Sequence, residues 1–324
     1  MIGIASAVQA EIYNEIYKWV DENGVTHYSE TAPPDAQPGP GELGVRKISD
    51  EVGGRGNFTE FTETEPIGYF KPARQDKPAR VAVHIETVAF ELSKAQRQRM
   101  DHMVQGLYQA YVRWFGWPAL PRQSITIKIF GSYDLFEQYQ IDSRGRFITN
   151  RSHYSPSHRE ILMLGSNFAD ETLAVLMHEA SHAVLDMQVR RSSKWFNEGL
   201  ASMFEGLQWR NNHLQLGARG GWRVTIKHKL REGSLLPAAH YLEIRDSAWG
   251  SESGRVENMY YMVAWSLMRF LVATDHGRQA LAVSLARQRS YRDQPGELLG
   301  ILDEAYPGGV QRLDLHWRSW IASL

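Results

Sequence analysis

Apolar residues recur every three or four positions between Leu173 and Met187. Leu173, Leu176, Met177, Ala180, Ala183, Val184 and Met187 fall on one stripe, which predicts a helix. Val175 and Leu185 extend the apolar surface around it, and a helix apolar on most sides is a buried one. Asp170 and Glu171 stand where a cap and a first-turn acid belong. A second stripe, Met100, Met103, Leu107, Tyr111 and Trp114, predicts a long amphipathic helix over Ser93 to Phe115. Glu257 to Ala273 is a third, followed by helices over Gly277 to Gln288, Gly296 to Ala305 and Val310 to Ala322.

Period-two alternation predicts strands at Ile16 to Val20, Val25 to Ser29, Val81 to Ile85, Ile125 to Phe130 and Ile161 to Leu164. The turn residues Asp21-Glu22-Asn23-Gly24 join the first two into a hairpin. Ser132 to Tyr139 reads as a short helix, and Tyr154 to Glu160 as a turn within the loop-and-strand region Phe147 to Leu164. Ala32 to Gly44 is rich in Pro and Gly and Ser49 to Lys77 is polar, so both read as a linker. The stretch after Glu205 reads as polar and irregular, then as a basic, solvated helix over Trp222 to Lys229. Ser251 to Val256 reads as a loop.

The buried stripe carries chemistry. It contains His178-Glu179-Ala180-Ser181-His182, an H-E-x-x-H pattern. Residues four apart share a helix face, so both imidazoles can grip one ion, and Glu179 can reach water beside it. Such a pattern arises by chance in roughly one chain in a hundred of this length, so context has to support it. Burial does: two histidines and a glutamate in an apolar helix need partners, and a metal or backbone carbonyls must supply them. The chain has no cysteine, so any metal takes His, Asp or Glu ligands. His153 and His158, on a polar turn, read as surface residues.

Downstream lies Lys194-Trp195-Phe196-Asn197-Glu198-Gly199-Leu200-Ala201-Ser202-Met203-Phe204-Glu205. This stretch resembles the W-L-N-E-G-F-A-S-x-x-E segment of the aminopeptidase N family and, more broadly, the gluzincin metallopeptidases of the peptidase-MA-like group. The resemblance implies that Glu198 is the third ligand of one Zn²⁺ ion beside His178 and His182. It also implies that Glu205 orients a ligand histidine and that Glu179 is the general base. Tyr261-Met262-Val263-Ala264-Trp265-Ser266-Leu267 fits the family's tyrosine helix, which implies Tyr261 as the oxyanion donor. Tyr260 is the reserve, about 100° away round the helix, and His228 and His240 are weaker alternatives. The G-x-M-E-N motif that holds a free amine in the aminopeptidases is absent from the sequence, so exopeptidase activity does not carry over. In that family a strand before the metal helix lines the cleft, which makes the region before Leu164 the expected substrate edge.

Composition adds bounds. A net charge of −1 over 324 residues gives no basic surface for nucleic acid. No run is long enough to span a bilayer. Val8-Gln9-Ala10 resembles the end of a signal peptide, over residues 1–10, although these residues carry no basic region. Tyr17-Lys18-Trp19-Val20-Asp21-Glu22-Asn23-Gly24-Val25-Thr26-His27-Tyr28-Ser29 resembles a short domain of unknown function that opens many bacterial envelope proteins. That implies a periplasmic or secreted location. Its aromatics, Tyr17, Trp19 and Tyr28, read as a packing face.

The expected organisation is α+β: an N-terminal β-hairpin domain over 11–50, a linker over 51–79, and a zincin-like domain over 80–324 with a small mixed sheet and a mostly helical C-terminal part. The expected activity is zinc-dependent hydrolysis of a peptide or protein substrate. The alternatives are a non-catalytic envelope scaffold, which a fourth protein ligand such as His153 or His158 would indicate, and a zinc amidase acting on a non-peptide amide.

Overall fold

The computed structural model describes residues 17–20, 26–29, 46–47, 80–115, 124–165, 170–189, 192–210, 213–217, 220–250, 254–290 and 298–324. The expected turn at 21–24, the linker and the signal-like residues 8–10 lie outside them. So do the side chains of Tyr17, Trp19, Tyr28, Asp170 and Glu171. The chain divides into two compact units, Met1–Phe61 and Thr62–Leu324.

In the first unit, β1 (Tyr17–Val20) pairs antiparallel with β2 (Thr26–Ser29), the hairpin that the alternation predicts. A third strand, β3 (Arg46–Lys47), pairs with the other edge of β1. Two residues carry no legible alternation, so the sequence does not announce it.

The second unit is mixed α+β and mostly helical. Its four-stranded sheet has the order β4 (Ala82–Val88), β5 (Ser124–Phe130), β7 (Glu160–Leu164), β6 (His153–Ser155). The first three are parallel and β6 is the antiparallel edge. Parallel neighbours need crossovers. One is α1 (Lys94–Trp114), capped by a reciprocal Ser93–Gln96 box; another contains α2 (Tyr133–Arg144), whose first turn is capped by Ser132. Lys128 points at Tyr139 of α2. Alternation therefore turns the buried Ile125, Ile127 and Ile129 to the other face, where α1 and α3 (Asp170–Asp186) pack.

The helical part follows: α4 (Lys194–Glu205), α5 (Gly220–Arg231), α6 (Ala238–Leu242), a 3₁₀ turn at Asp246–Gly250, α7 (Gly254–Ala273), α8 (Asp275–Ser290), α9 (Leu298–Ala305) and α10 (Gly309–Ser323). Two expectations need correction. The stretch after Glu205 is a hairpin, β8 (Leu207–Arg210) with β9 (His213–Leu216). And α7 begins at Gly254, inside the expected loop, so only 251–253 lie outside the described elements. The basic helix α5 is not fully solvated; it buries Ile226 and packs on α10 and α7.

Two contacts fix the helices that matter. Tyr111 of α1 is fully buried; its hydroxyl meets Ser181 of α3 (Oγ at 2.9 Å), and its ring stacks on Phe204 of α4 at 5.3 Å. One side chain thus ties α3 to α4. Gly199 of α4 lies against α7: a Cβ there would stand 2.9 Å from the Ala264 carbonyl oxygen. The missing side chain lets the two helices close, and it brings Tyr261, one turn before Ala264, towards Glu198.

Candidate metal centre

Helix α3 presents His178 and His182 on one face, with ring centroids 4.9 Å apart. Helix α4 brings Glu198 opposite them. Its Oε2 stands 3.5 Å from His178 Nε2 and 3.7 Å from His182 Nε2. These three donors form the one group of His and acidic side chains among the described residues with metal-binding geometry, all ligand atoms lying within 4.8 Å of one another. Zinc–ligand bonds of about 2.0–2.1 Å at tetrahedral angles put neighbouring donors about 3.4 Å apart. The observed separations match a chelate and are too long for good hydrogen bonds.

The other ring nitrogens are held from behind. His178 Nδ1 donates to Glu205 Oε2 at 3.2 Å, and His182 Nδ1 donates to Asn197 Oδ1 at 2.7 Å. With its Nδ1 held by Glu205 or Asn197, each ring turns Nε2 towards Glu198, the orientation a metal ligand needs. The residues present therefore fit a divalent cation. Glu205 is the side chain behind His178. Asn197 carries no titratable signal and was not expected, although it adjoins Glu198 in the same segment.

Glu179 is 8 % exposed and its Oε2 accepts a 2.7 Å hydrogen bond from the Tyr154 backbone N–H on the edge strand β6. Burial raises its pKa, an effect that the imidazoles and that N–H only partly offset. Glu198 is held below the usual carboxylate range. Burial opposes its charge, but His178 and His182 outweigh it, with Lys194 adding attraction from 3.9 Å. His178 moves the other way, to about 10: burial works against its charge, and the attraction of the Glu198, Glu205 and Glu179 carboxylates prevails. Three carboxylates here face two imidazoles and one lysine, a concentration of negative charge suited to a cation.

The centre opens into a cleft of about 400 Å³, whose walls include Arg151, His153, Tyr154, Leu185, Asp186 and Tyr261. Of the two tyrosines, Tyr261 lines this cleft and Tyr260 does not; both rings pack on the buried Trp249. His228, on the solvent side of α5, pairs with Glu232 just past the helix end, and His240 is exposed beside Tyr241; neither lines the cleft. His158 is exposed, as expected. His153 is not a surface residue: it is half-buried on β6, where its ring meets Phe136 edge-on and its Nδ1 meets the Arg151 carbonyl. Burial lowers its pKa.

Residues 2–51 match the model of the Domain of unknown function DUF4124. This domain is found in bacterial envelope proteins. Comparison with curated proteins gave no match. The match covers the hairpin unit and stops well before the metal centre, so what the centre does has to be argued from its own geometry. Among the described residues no helix is long and apolar enough to cross a membrane.

Proposed function

We propose that this protein is a zinc-dependent peptidase of gluzincin type. The observation that carries the proposal is the convergence of His178 Nε2, His182 Nε2 and Glu198 Oε2 at chelate distance, with Glu179 buried alongside in an open cleft. Zinc in such a donor set supplies Lewis acidity and brings water within reach of deprotonation near neutral pH.

The protein's own groups do the rest. Glu179 takes a proton from the attacking water and passes it to the leaving amine nitrogen. The Tyr154 N–H holds one carboxylate oxygen, Oε2, and leaves the other to work. Burial keeps that carboxyl a stronger base than an exposed one. Tyr261 donates its hydroxyl to the oxyanion that develops on the scissile carbonyl. Strand β6, the edge of the sheet among the described residues, stands beside α3 and lines the cleft where an extended substrate would lie. A purely structural site needs a fourth protein ligand, and among the described residues three converge, which favours the catalytic reading over a scaffold. The hairpin unit supports an envelope location.

The test is digestion of an unbiased peptide mixture by the zinc-loaded wild type and Glu179→Gln, with metal content measured on both. The expected result is equal zinc and a loss of turnover of about 10²–10⁴-fold in the variant. Equal hydrolysis by the two would overturn the assignment. Cleavage of a non-peptide amide in place of every peptide would keep the chemistry and change the substrate class.

A further inference from the structure

The wall of the cleft beyond His182 is chemically divided. Helix α3 continues for one more turn, and Asp186, four residues past His182, projects on nearly the same face about 6 Å further along the axis. Its carboxylate lines the cleft and is half-buried. Its Oδ2 accepts a 2.8 Å hydrogen bond from the Tyr154 hydroxyl, a neutral donor. Among the described residues no lysine or arginine makes an ion pair with it. Arg151 lines the same cleft and is exposed. Leu185 and Val189, both buried, stand beside Asp186 on the wall.

Arg159 is near enough to act on the Tyr154 hydroxyl, but the group that touches the carboxylate is the phenol, and a half-buried carboxylate held this way on a cleft wall suits a cationic ligand. Leu185 and Val189 are almost wholly covered and shape the wall from behind, so the carboxylate carries the selection: it would take the cationic head of a lysine or arginine side chain. A free N-terminal amine offers the charge without the stem. Glutamate offers a stem with the wrong charge and would meet Asp186 as a like charge.

We propose that Asp186, supported by Tyr154 and flanked by Leu185 and Val189, forms a subsite that selects substrates with a basic side chain next to the bond to be cut. This rests on the peptidase reading, and it names the substrate class of that site.

The test is a binding measurement separate from turnover. The full-length chain carrying Glu179→Gln, zinc-loaded and metal-free, is titrated with blocked hexa-alanine peptides bearing one lysine moved through the four central positions. Norleucine at the same positions removes the ammonium and keeps the stem, glutamate reverses the charge, and an unblocked hexa-alanine supplies a terminal amine alone. At one position lysine should bind about tenfold more tightly than norleucine. That preference should vanish in Asp186→Asn and return in Asp186→Glu, with zinc content the same in all three. Equal binding of lysine and norleucine, a preference for glutamate, or no measurable binding of any peptide overturns the subsite. So does a lysine preference that survives Asp186→Asn. Preference for the unblocked peptide alone assigns Asp186 to a terminal amine and overturns the side-chain claim. Lysine preference without wild-type turnover leaves the subsite standing and removes the peptidase reading; turnover without lysine preference does the reverse.

Discussion

Two buried carboxylates in the same unit are satisfied in opposite ways. Glu160, 4 % exposed at the start of β7, lies 3.0 Å from Lys128 Nζ and 2.8 Å from Arg144 Nη2, and accepts from the Tyr139 hydroxyl at 3.0 and 3.1 Å. Glu198, 9 % exposed on α4, has its neighbours at 3.5, 3.7 and 3.9 Å. The first set of contacts is short, directional and closed by two permanent cations. It is an ion cluster that the chain completes from its own side chains, and it pins the β6–β7 hairpin to α2 and β5. The second set converges on a point between atoms, with the outer nitrogens of both imidazoles held by Glu205 and Asn197. Distance separates the two roles: hydrogen-bond length for a structural cluster, chelate length for a ligand set.

The difference can be broken from either side. Glu198→Ala should have the largest effect, dropping bound zinc from one equivalent per chain to near zero by elemental analysis, because two imidazoles alone make a weak site. Zinc held undiminished by this variant would erase the distinction. Glu160→Gln should leave zinc content unchanged and cost about 3–5 kcal/mol of stability in urea denaturation, since Lys128 and Arg144 lose their buried counter-charge. Asn197→Ala should weaken zinc about 10–100-fold in competition with a chelator, as expected when a histidine loses the group that fixes its tautomer. The smallest effect belongs to Tyr139→Phe, about 1 kcal/mol of stability with no change in zinc affinity. A change in zinc affinity there would join the two clusters into one network.

Much of this was legible in the sequence, and what was not has physical causes. His178, Glu179 and His182 declare themselves by spacing on an apolar stripe, and Glu198 and Glu205 by the segment they share. The choice of Tyr261 over Tyr260 rested on the resemblance of the Tyr261 to Leu267 segment, and Tyr261 is the one that lines the cleft. Asn197 is an amide whose role appears only once α4 faces α3. Tyr154 acts on Glu179 through its backbone N–H, which no side-chain pattern encodes. Asp186 sits in register with the two histidines, but its meaning depends on a cleft wall made by β6. The use of Gly199 shows only once Ala264 is seen against it. Strands β8 and β9 are four residues each around Asn211-Asn212, too short for alternation to outweigh their polarity. His153 misled because the turn after it is polar while its own ring is packed on Phe136.

The central claim is that His178, His182 and Glu198 hold one divalent ion between them. Crystals of the full chain grown with zinc, measured across the zinc absorption edge, test it most directly. The account predicts a single anomalous peak about 2.0–2.1 Å from His178 Nε2, His182 Nε2 and a Glu198 carboxylate oxygen. No peak between α3 and α4, or one bound by the imidazoles while Glu198 turns away, would contradict it.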